Sequence, residues 1–396
     1  MTPQKTNRLQ SLDGLRGIAA LIVFFHHVLV LVYGRVAGIN EHAWPVRPKI
    51  ALYLLQHAPV GWVFNGAFAV SFFFVLSGFV LTRAMGEKPP AQKIAQLVTV
   101  RFLRLFPLVL LGTIAGYLVF NQSVINLDNL RWLSGTDSRA YIAPELLARH
   151  GVIDVLKQAL LKIWQGSDSS HLFDPPLWSI GIELQGSLLV YLLAGAFAET
   201  PNRRAKYIVG IAIGLCLIGP PCLSFLAGMY MAEHSRSRDD VLLPVSRPWL
   251  VLLSGIALIW ASVHPWDRNL WLHLPFSPGE LGDTTISTLC AVFIMASGLQ
   301  LPLFRSFLSS RLIQYLGHCS YGMYVVHVPL LYMGISPLLA ALSPHIGFNL
   351  AALGATSFLL LVSLLLGSFV ITRIDTPVAR FSKGLVNRWL LRIGSA

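Results

Sequence analysis

Two ionisable side chains on the first apolar segment could support chemistry inside a membrane. Arg16 and His27 are 11 residues apart, which on an α-helix is within about 20° of whole turns and a rise of about 16 Å. They therefore share one helix face, whereas His26 points about 100° away. A guanidinium binds anions and an imidazole accepts protons, so the pair indicates a path from the membrane surface to its midplane. Taken singly, Arg16 could set orientation and His27 could hydrogen-bond a neighbouring helix.

A second basic pair opens the third apolar segment. Arg101 and Arg104 are three residues apart, so both guanidiniums can reach one anionic ligand. The alternative is ordinary positive charge at the cytoplasmic end of a membrane helix.

Polar side chains also follow one face of a later apolar segment. Ser320, Tyr324 and His327 fall within about 60° of each other on a helix. His327 lies about 13 Å in, close to the depth of His27. The two histidines could share a metal, but no HExxH pattern or carboxylate set accompanies them, and we expect no metal. The other alternative is a hydrogen-bonded packing seam.

The fourth apolar segment carries Trp178, Ser179 and Glu183 near its start. Ser179 and Glu183 are four residues apart and share a face, about a third of the way down from the outer surface. An acid at this depth is a functional candidate because burying it is costly. Glu183 could orient an imidazole, bind a sugar hydroxyl or take a proton, or it could pair with Arg or His for assembly.

The elements that position these side chains are membrane helices. The 396 residues are 55% hydrophobic and only 12% charged, about half the charge density of a soluble domain, which excludes a soluble enzyme. We predict an all-α, polytopic transmembrane bundle of about ten helices, from apolar runs and their breakers. The predicted helices are 15–33, 61–82, 102–120, 176–198, 206–219, 221–233, 248–263, 284–301, 319–341 and 350–372.

The distribution of charge sets the orientation. The net charge is +12, but no basic block is interleaved with aromatic residues, so we expect no nucleic-acid partner. Six segments between or beside the apolar runs hold 21 of the 30 lysines and arginines, and we predict that they and both termini are cytoplasmic. The Pro-broken stretch 206–233 must then cross an even number of times, as two short helices or a re-entrant hairpin.

Two further segments complete the predicted organisation. The amphipathic stretch Val152–Trp164 is expected as a surface helix over the outer mouth. Residues 1–372 form the integral-membrane domain, and the basic tail 373–396 is expected as an interfacial cytoplasmic helix.

Five of these blocks, in order, resemble acyltransferase family 3, the bacterial integral-membrane O-acyltransferases. The resemblance rests on Leu12-Asp13-Gly14-Leu15-Arg16 leading to His27 and on Arg101 with Arg104. It also rests on residues 72–79, 178–183 and 320–327. It covers nearly the whole chain.

The resemblance implies a multi-pass protein of the bacterial cytoplasmic membrane. It implies transfer of an acyl group, usually acetyl, from cytoplasmic acyl-CoA to a hydroxyl of an extracytoplasmic carbohydrate or glycolipid acceptor. The lipid bilayer is then a further partner.

Within that reaction the candidate residues take separate roles. Arg16, Arg101 and Arg104 would anchor CoA, and His27 would act as general base or as acyl acceptor, with Glu183 as a second catalytic residue. We expect the acceptor to be bound by Ser320, Tyr324, His327 and Trp178. The rival hypothesis is a secondary transporter that exports a glycan or glycolipid.

Overall fold

The computed structural model describes residues 3–33, 60–86, 89–121, 150–166, 169–199, 202–236, 242–262 and 279–394. Within these residues the chain is built of helices and contains no strand. The α-helices are α1 (Pro3–Val28), α2 (Gly66–Met85), α3 (Ala91–Asn121), α4 (Val152–Lys157), α5 (Trp178–Ala196), α6 (Arg203–Leu217), α7 (Cys222–Arg236), α8 (Arg247–Ala261), α9 (Gly279–Gln300), α10 (Pro302–Leu308), α11 (Arg311–Ile346), α12 (Phe348–Val370) and α13 (Thr376–Gly394).

The predicted polytopic helical architecture is confirmed. In the described residues, seven helical stretches are long and apolar enough to cross a membrane, and α8 is a shorter apolar helix. Each of the ten predicted helices overlaps an observed one, and the boundaries differ because polar flanks continue several helices. The longest extension is α11, which has 36 residues, begins at Arg311 and includes three prolines.

The Pro-broken stretch forms two separate helices, α6 and α7, of 15 residues each. Gly219 between them has φ 84°, a left-handed conformation that favours glycine, and the prolines at 220 and 221 prevent a continuous helix. Each helix is about 22 Å long, which is short against a hydrocarbon core of about 30 Å.

Close helix packing brings the first and later helices together. A Cβ at Gly17 would lie 2.5 Å from the backbone nitrogen of Gly317, so α1 and α11 touch at their backbones. At a second close contact, a Cβ at Gly78 would lie 2.1 Å from the carbonyl oxygen of Phe225, so α2 packs directly against the backbone of α7. The contact between α1 and α11 sets Arg16 and His27 against the polar face of α11.

The segment 152–165 is helical, as α4 followed by π- and 3₁₀-helical turns, but it does not lie over the mouth of the bundle. It begins beside Tyr117, whose hydroxyl donates to the carbonyl of His150 (3.3 Å), and it ends where Trp164 packs on Phe102 (5.3 Å between ring centroids). Tyr117 and Phe102 are about 22 Å apart along α3. The segment therefore runs down the side of α3, with Val155, Ala159 and Ile163 as its buried apolar side chains.

The C-terminal part continues α12 without a break. A π-helical stretch, Ile371–Asp375, connects α12 to α13, and α13 packs against α3. The tail is thus a helix as expected, and its place at the cytoplasmic interface stays a prediction.

Candidate functional site

A cavity of about 640 Å³ lies inside the bundle, between α1, α2, α3, α5 and α11. The three arginines of its lining, Arg16, Arg101 and Arg104, lie toward the end where α1 begins, which is the predicted cytoplasmic end. The apolar part of the lining includes Val70, Phe73, Phe74 and Ile180. The polar lining residues are Asp13, Arg16, Ser77, Arg101, Arg104, Ser179, Glu183, His318, Ser320, Tyr321, Tyr324, Asp375 and Thr376.

All three predicted anchoring arginines line this cavity. Arg16 Nε donates to Ser320 Oγ (3.1 Å) and Nη2 donates to the carbonyl of Gly317 (3.2 Å), so Arg16 faces α11 as its spacing predicted. Arg16 also pairs with Asp13 at 2.9 Å. Serine and carbonyl acceptors hold the guanidinium in one orientation at the cavity wall.

Arg101 is bound to the predicted catalytic acid. Its Nη2 pairs with Glu183 Oε1, and its Nε donates to Ser187 Oγ (3.1 Å). Ser77 donates to the same carboxylate oxygen. Glu183 therefore occupies the ion-pair arrangement that the sequence left open as one of its roles.

Arg104 forms a bidentate ion pair with Asp375. Nε lies 2.9 Å from Oδ1 and Nη2 lies 2.9 Å from Oδ2, and Asp375 is only 4% exposed. Parallel hydrogen bonds of this kind fix both geometry and charge. Sequence reasoning did not assign Asp375 to the site. Its signal was available, because Asp375 is the only acid in the basic stretch 373–396.

The charges on the cavity wall balance. Three arginines face three carboxylates, and each arginine is paired with one of them. Within the described part of the chain, each guanidinium keeps its Nη1 group without a hydrogen-bond partner. An anionic ligand would thus use these free groups or compete with the carboxylates.

The two predicted histidines meet. His27 Nδ1 lies 3.1 Å from His327 Nε2, and the ring centroids are 5.0 Å apart. His327 is 1% exposed and His27 is partly exposed. The similar depth inferred from the two helices is therefore confirmed.

The histidine pair lies beyond the inner end of the cavity and does not line it. Phe73 and Tyr324, with ring centroids 6.1 Å apart, form that end, and Tyr324 lies 5.8 Å from the ring of His327. Arg16 faces the cavity, whereas His27 sits behind these rings on the same side of α1. Trp178 is also absent from the lining and packs against the buried core of the bundle.

Ser179 and Tyr324 are bound to each other near the cavity's inner end. Their hydroxyl oxygens are 2.6 Å apart, and Tyr324 also donates to the carbonyl of Pro176 (3.0 Å). This contact pins the ring of Tyr324 to the start of α5, so the inner end has a fixed shape.

Tyr321 and Asp174, which the sequence did not single out, are among the buried polar side chains that lack hydrogen-bond partners in the described residues. The hydroxyl of Tyr321 faces the cavity wall, and both carboxylate oxygens of Asp174 are buried, with Asp174 0% exposed. Asp174 packs against Gly112, where a Cβ would come within 2.7 Å of its Oδ2. Whether an acid is buried without a partner depends on how neighbouring helices pack, and the sequence therefore gives no signal for it.

Similarity to known proteins indicates the family of this chain. A family model described as an acyltransferase domain matches residues 9–373. The chain is similar to the acyltransferase MdmB of Streptomyces mycarofaciens (23% identity over 96% of this chain and 93% of that protein). It is also similar to the peptidoglycan O-acetyltransferase OatA of Listeria monocytogenes (27% identity over 84% of this chain and 54% of that protein).

A fungal protein is similar as well. It is the acyltransferase clz18 of Cochliobolus lunatus, with 24% identity over 93% of each chain. No solved structure gives a significant match.

Proposed function

Because the chain belongs to acyltransferase family 3, we propose that it moves an acyl group, acetyl in the simplest case, from cytoplasmic acyl-CoA to a hydroxyl of an extracytoplasmic carbohydrate. The chain is a multi-pass membrane protein with the helices of a membrane acyltransferase. The bacterial cytoplasmic membrane is the proposed location. The observation that carries the proposal is the cavity, which joins three arginines at one end to the neighbourhood of two histidines at the other.

The arginine end suits the phosphates of CoA. Arg101 and Arg104 are held by serine and carboxylate partners, so their free Nη1 groups are positioned before a ligand arrives. Fixed donors bind an anion with less loss of side-chain freedom than flexible ones. Arg16 lies on the same wall and can contribute a third contact.

The apolar end suits the acyl thioester. Val70, Phe73 and Ile180 line the cavity, and the ring of Phe73 packs against that of Tyr324 (6.1 Å between centroids). A CoA molecule held by its phosphates near Arg16 would direct its pantetheine arm along α1, over the rise of about 16 Å that separates Arg16 from His27. The thioester would then have to pass between the rings of Phe73 and Tyr324 to reach the histidine.

His27 performs the proposed chemistry by one of two routes. As a general base it takes the proton of the acceptor hydroxyl while the oxygen attacks the thioester carbon, and the thiolate of CoA leaves and recovers the proton. A positioned base contributes about 10²–10⁴-fold. As a nucleophile it first accepts the acyl group itself and then passes it to the alcohol.

The remaining site residues have supporting parts in this proposal. Glu183 is given a secondary catalytic role through Arg101, and Ser320, Tyr324, His327 and Trp178 are proposed to orient the acceptor or the base. We expect no metal in the reaction. The acceptor is proposed to be a carbohydrate or glycolipid, a choice supported by the similarity to a peptidoglycan O-acetyltransferase.

The proposal is tested with the purified full-length protein in lipid nanodiscs. Acetyl-CoA is the donor and a soluble peptidoglycan fragment is the acceptor, and release of the CoA thiol is followed with and without the fragment. Acceptor-dependent release that is lost in His27→Ala supports the proposal, and raised KM for acetyl-CoA in Arg16→Ala and Arg101→Ala supports the anchoring role.

Two results would contradict it. Normal thiol release by a correctly inserted His27→Ala variant removes the catalytic assignment. Transport of a labelled glycan fragment across the bilayer without any thiol release would favour the exporter that the sequence left open.

A further inference from the structure

The hydrogen bonds of the histidine pair define where its protons lie. His327 Nδ1 is 2.8 Å from the carbonyl oxygen of Tyr324 and 3.1 Å from that of Met323. A carbonyl oxygen only accepts hydrogen bonds, so Nδ1 of His327 must carry the proton. In the neutral ring, Nε2 of His327 is then an acceptor.

The same reasoning applies to His27. Its Nδ1 lies 2.9 Å from the carbonyl oxygen of Val23 and 3.1 Å from Nε2 of His327. Both neighbours are acceptors, so Nδ1 of His27 is the donor and its proton is shared between them. Nε2 of His27 is therefore the atom with the free lone pair.

That free nitrogen is the reactive atom of either proposed route. In the described residues Nε2 of His27 has no hydrogen-bond partner, and His27 is partly exposed while His327 is buried. A base or a nucleophile needs an unprotonated nitrogen with access to the substrate. In the histidine pair, only Nε2 of His27 meets both conditions.

We propose that His327 is the positioning residue of His27: together with the carbonyl of Val23 it holds His27 in the Nδ1–H tautomer, so that Nε2 is the reacting nitrogen, and it accepts the Nδ1–H hydrogen bond while Nε2 is protonated. This inference rests on the proposed function. When the acceptor hydroxyl gives its proton to Nε2, His27 becomes a cation and its bond to His327 becomes charge-assisted. The departing CoA thiolate takes the proton from Nε2, and the neutral pair is restored.

The surroundings of His327 fit a fixed acceptor. Its ring is buried against Phe24, which is 0% exposed, with centroids 6.3 Å apart. Two carbonyls of its own helix hold its Nδ1 side, so the ring cannot turn without losing both bonds. Second partners of this kind fix the tautomer of a histidine.

The direct test measures the tautomer by ¹⁵N NMR on full-length protein labelled at histidine in lipid bilayers. The His27 signals are assigned by difference from His27→Asn. We expect a protonated Nδ1 and an unprotonated Nε2 in the wild type. In His327→Leu only the carbonyl of Val23 still accepts from Nδ1, so we expect a smaller fraction of the Nδ1–H tautomer than in the wild type.

The kinetic test uses acetyl-CoA and the soluble peptidoglycan fragment. His327→Leu should lower kcat by about 10- to 100-fold with an unchanged KM for acetyl-CoA. His327→Gln keeps an acceptor oxygen and should recover part of the loss. His26→Gln is the matched control, because its ring lies beside His27 (5.2 Å between centroids) but its Nδ1 faces the carbonyl of Phe64, and it should keep kcat within about twofold.

The failure of this inference is distinguishable from that of the proposed function. A wild-type His27 with its proton on Nε2, or a His327→Leu variant with wild-type kcat, overturns the positioning role even if His27→Ala is inactive. Thiol release that survives His27→Ala overturns the proposed function, whatever the tautomer. If His327→Leu fails to fold, the wild-type spectrum and His327→Gln still decide the question.

Discussion

The ion pair between Arg104 and Asp375 leads to a prediction with opposite signs for its two partners. If Arg104 binds a CoA phosphate, Asp375 competes with that phosphate for the same guanidinium. Asp375→Asn should then tighten acetyl-CoA binding, whereas Arg104→Ala should weaken it. A purely structural pair would give losses in both variants.

The magnitude follows from the geometry. Two unit charges 4 Å apart interact by about 4 kcal/mol at an effective dielectric constant of about 20. The side chain of Arg104 is 42% exposed, so solvent screening reduces this to about 1 kcal/mol. That is about a fivefold decrease in Kd for Asp375→Asn.

Binding of acetyl-CoA to the protein in nanodiscs is measured by isothermal titration calorimetry. Glu280→Gln is the control, because it changes the net charge equally at an exposed residue that does not line the cavity, and its Kd should not change. Thermal unfolding is recorded alongside, because Asn keeps only one acceptor oxygen and Asp375→Asn therefore loses one of the two hydrogen bonds from Arg104. Weaker binding in Asp375→Asn, with the folded protein intact, would contradict competition between Asp375 and a CoA phosphate for Arg104.

Three further predictions follow from packing. Gly17→Ala should lower the unfolding temperature, because its Cβ would lie 2.5 Å from the backbone of Gly317 and overpacking costs about 1–3 kcal/mol. The control Gly255→Ala, whose Cβ would have no atom within 4 Å, should keep the wild-type unfolding temperature. Equal unfolding temperatures for the two variants would contradict the contact between α1 and α11. Phe73→Ala should raise turnover of octanoyl-CoA relative to acetyl-CoA by opening the inner end of the cavity, and an unchanged ratio would count against that end as the acyl site. Asp174→Asn should leave thermal stability within about 1 kcal/mol, since a buried carboxyl without a partner is stable only when neutral; a large loss would reveal an ionised, partnered acid.

The sequence predicted those features of the site that depend on one helix at a time. Arg16 and His27 share a side of α1 because their spacing fits whole turns. The contact between His327 and His27 was predictable because each depth follows from the distance to the end of its own helix. The division of 206–233 followed from the chemistry of proline together with the basic segments on both sides of the stretch.

Features that depend on two or more helices were not predictable in this way. The pairing of Arg101 with Glu183 was one of several open roles, because the angle between α3 and α5 decides it. The place of 152–165 beside α3 and the closure of the cavity by Phe73 and Tyr324 depend on tertiary packing, for which periodicity carries no information.

We propose that His27 transfers an acyl group from CoA that enters through the arginine-lined cavity. The most direct measurement is rapid-quench release of the CoA thiol from radiolabelled acetyl-CoA, with label followed into a soluble peptidoglycan fragment, for the wild type and His27→Ala. We expect acceptor-dependent transfer in the wild type and a loss of at least about 100-fold in His27→Ala with acetyl-CoA still bound. Transfer at the wild-type rate by His27→Ala would contradict it.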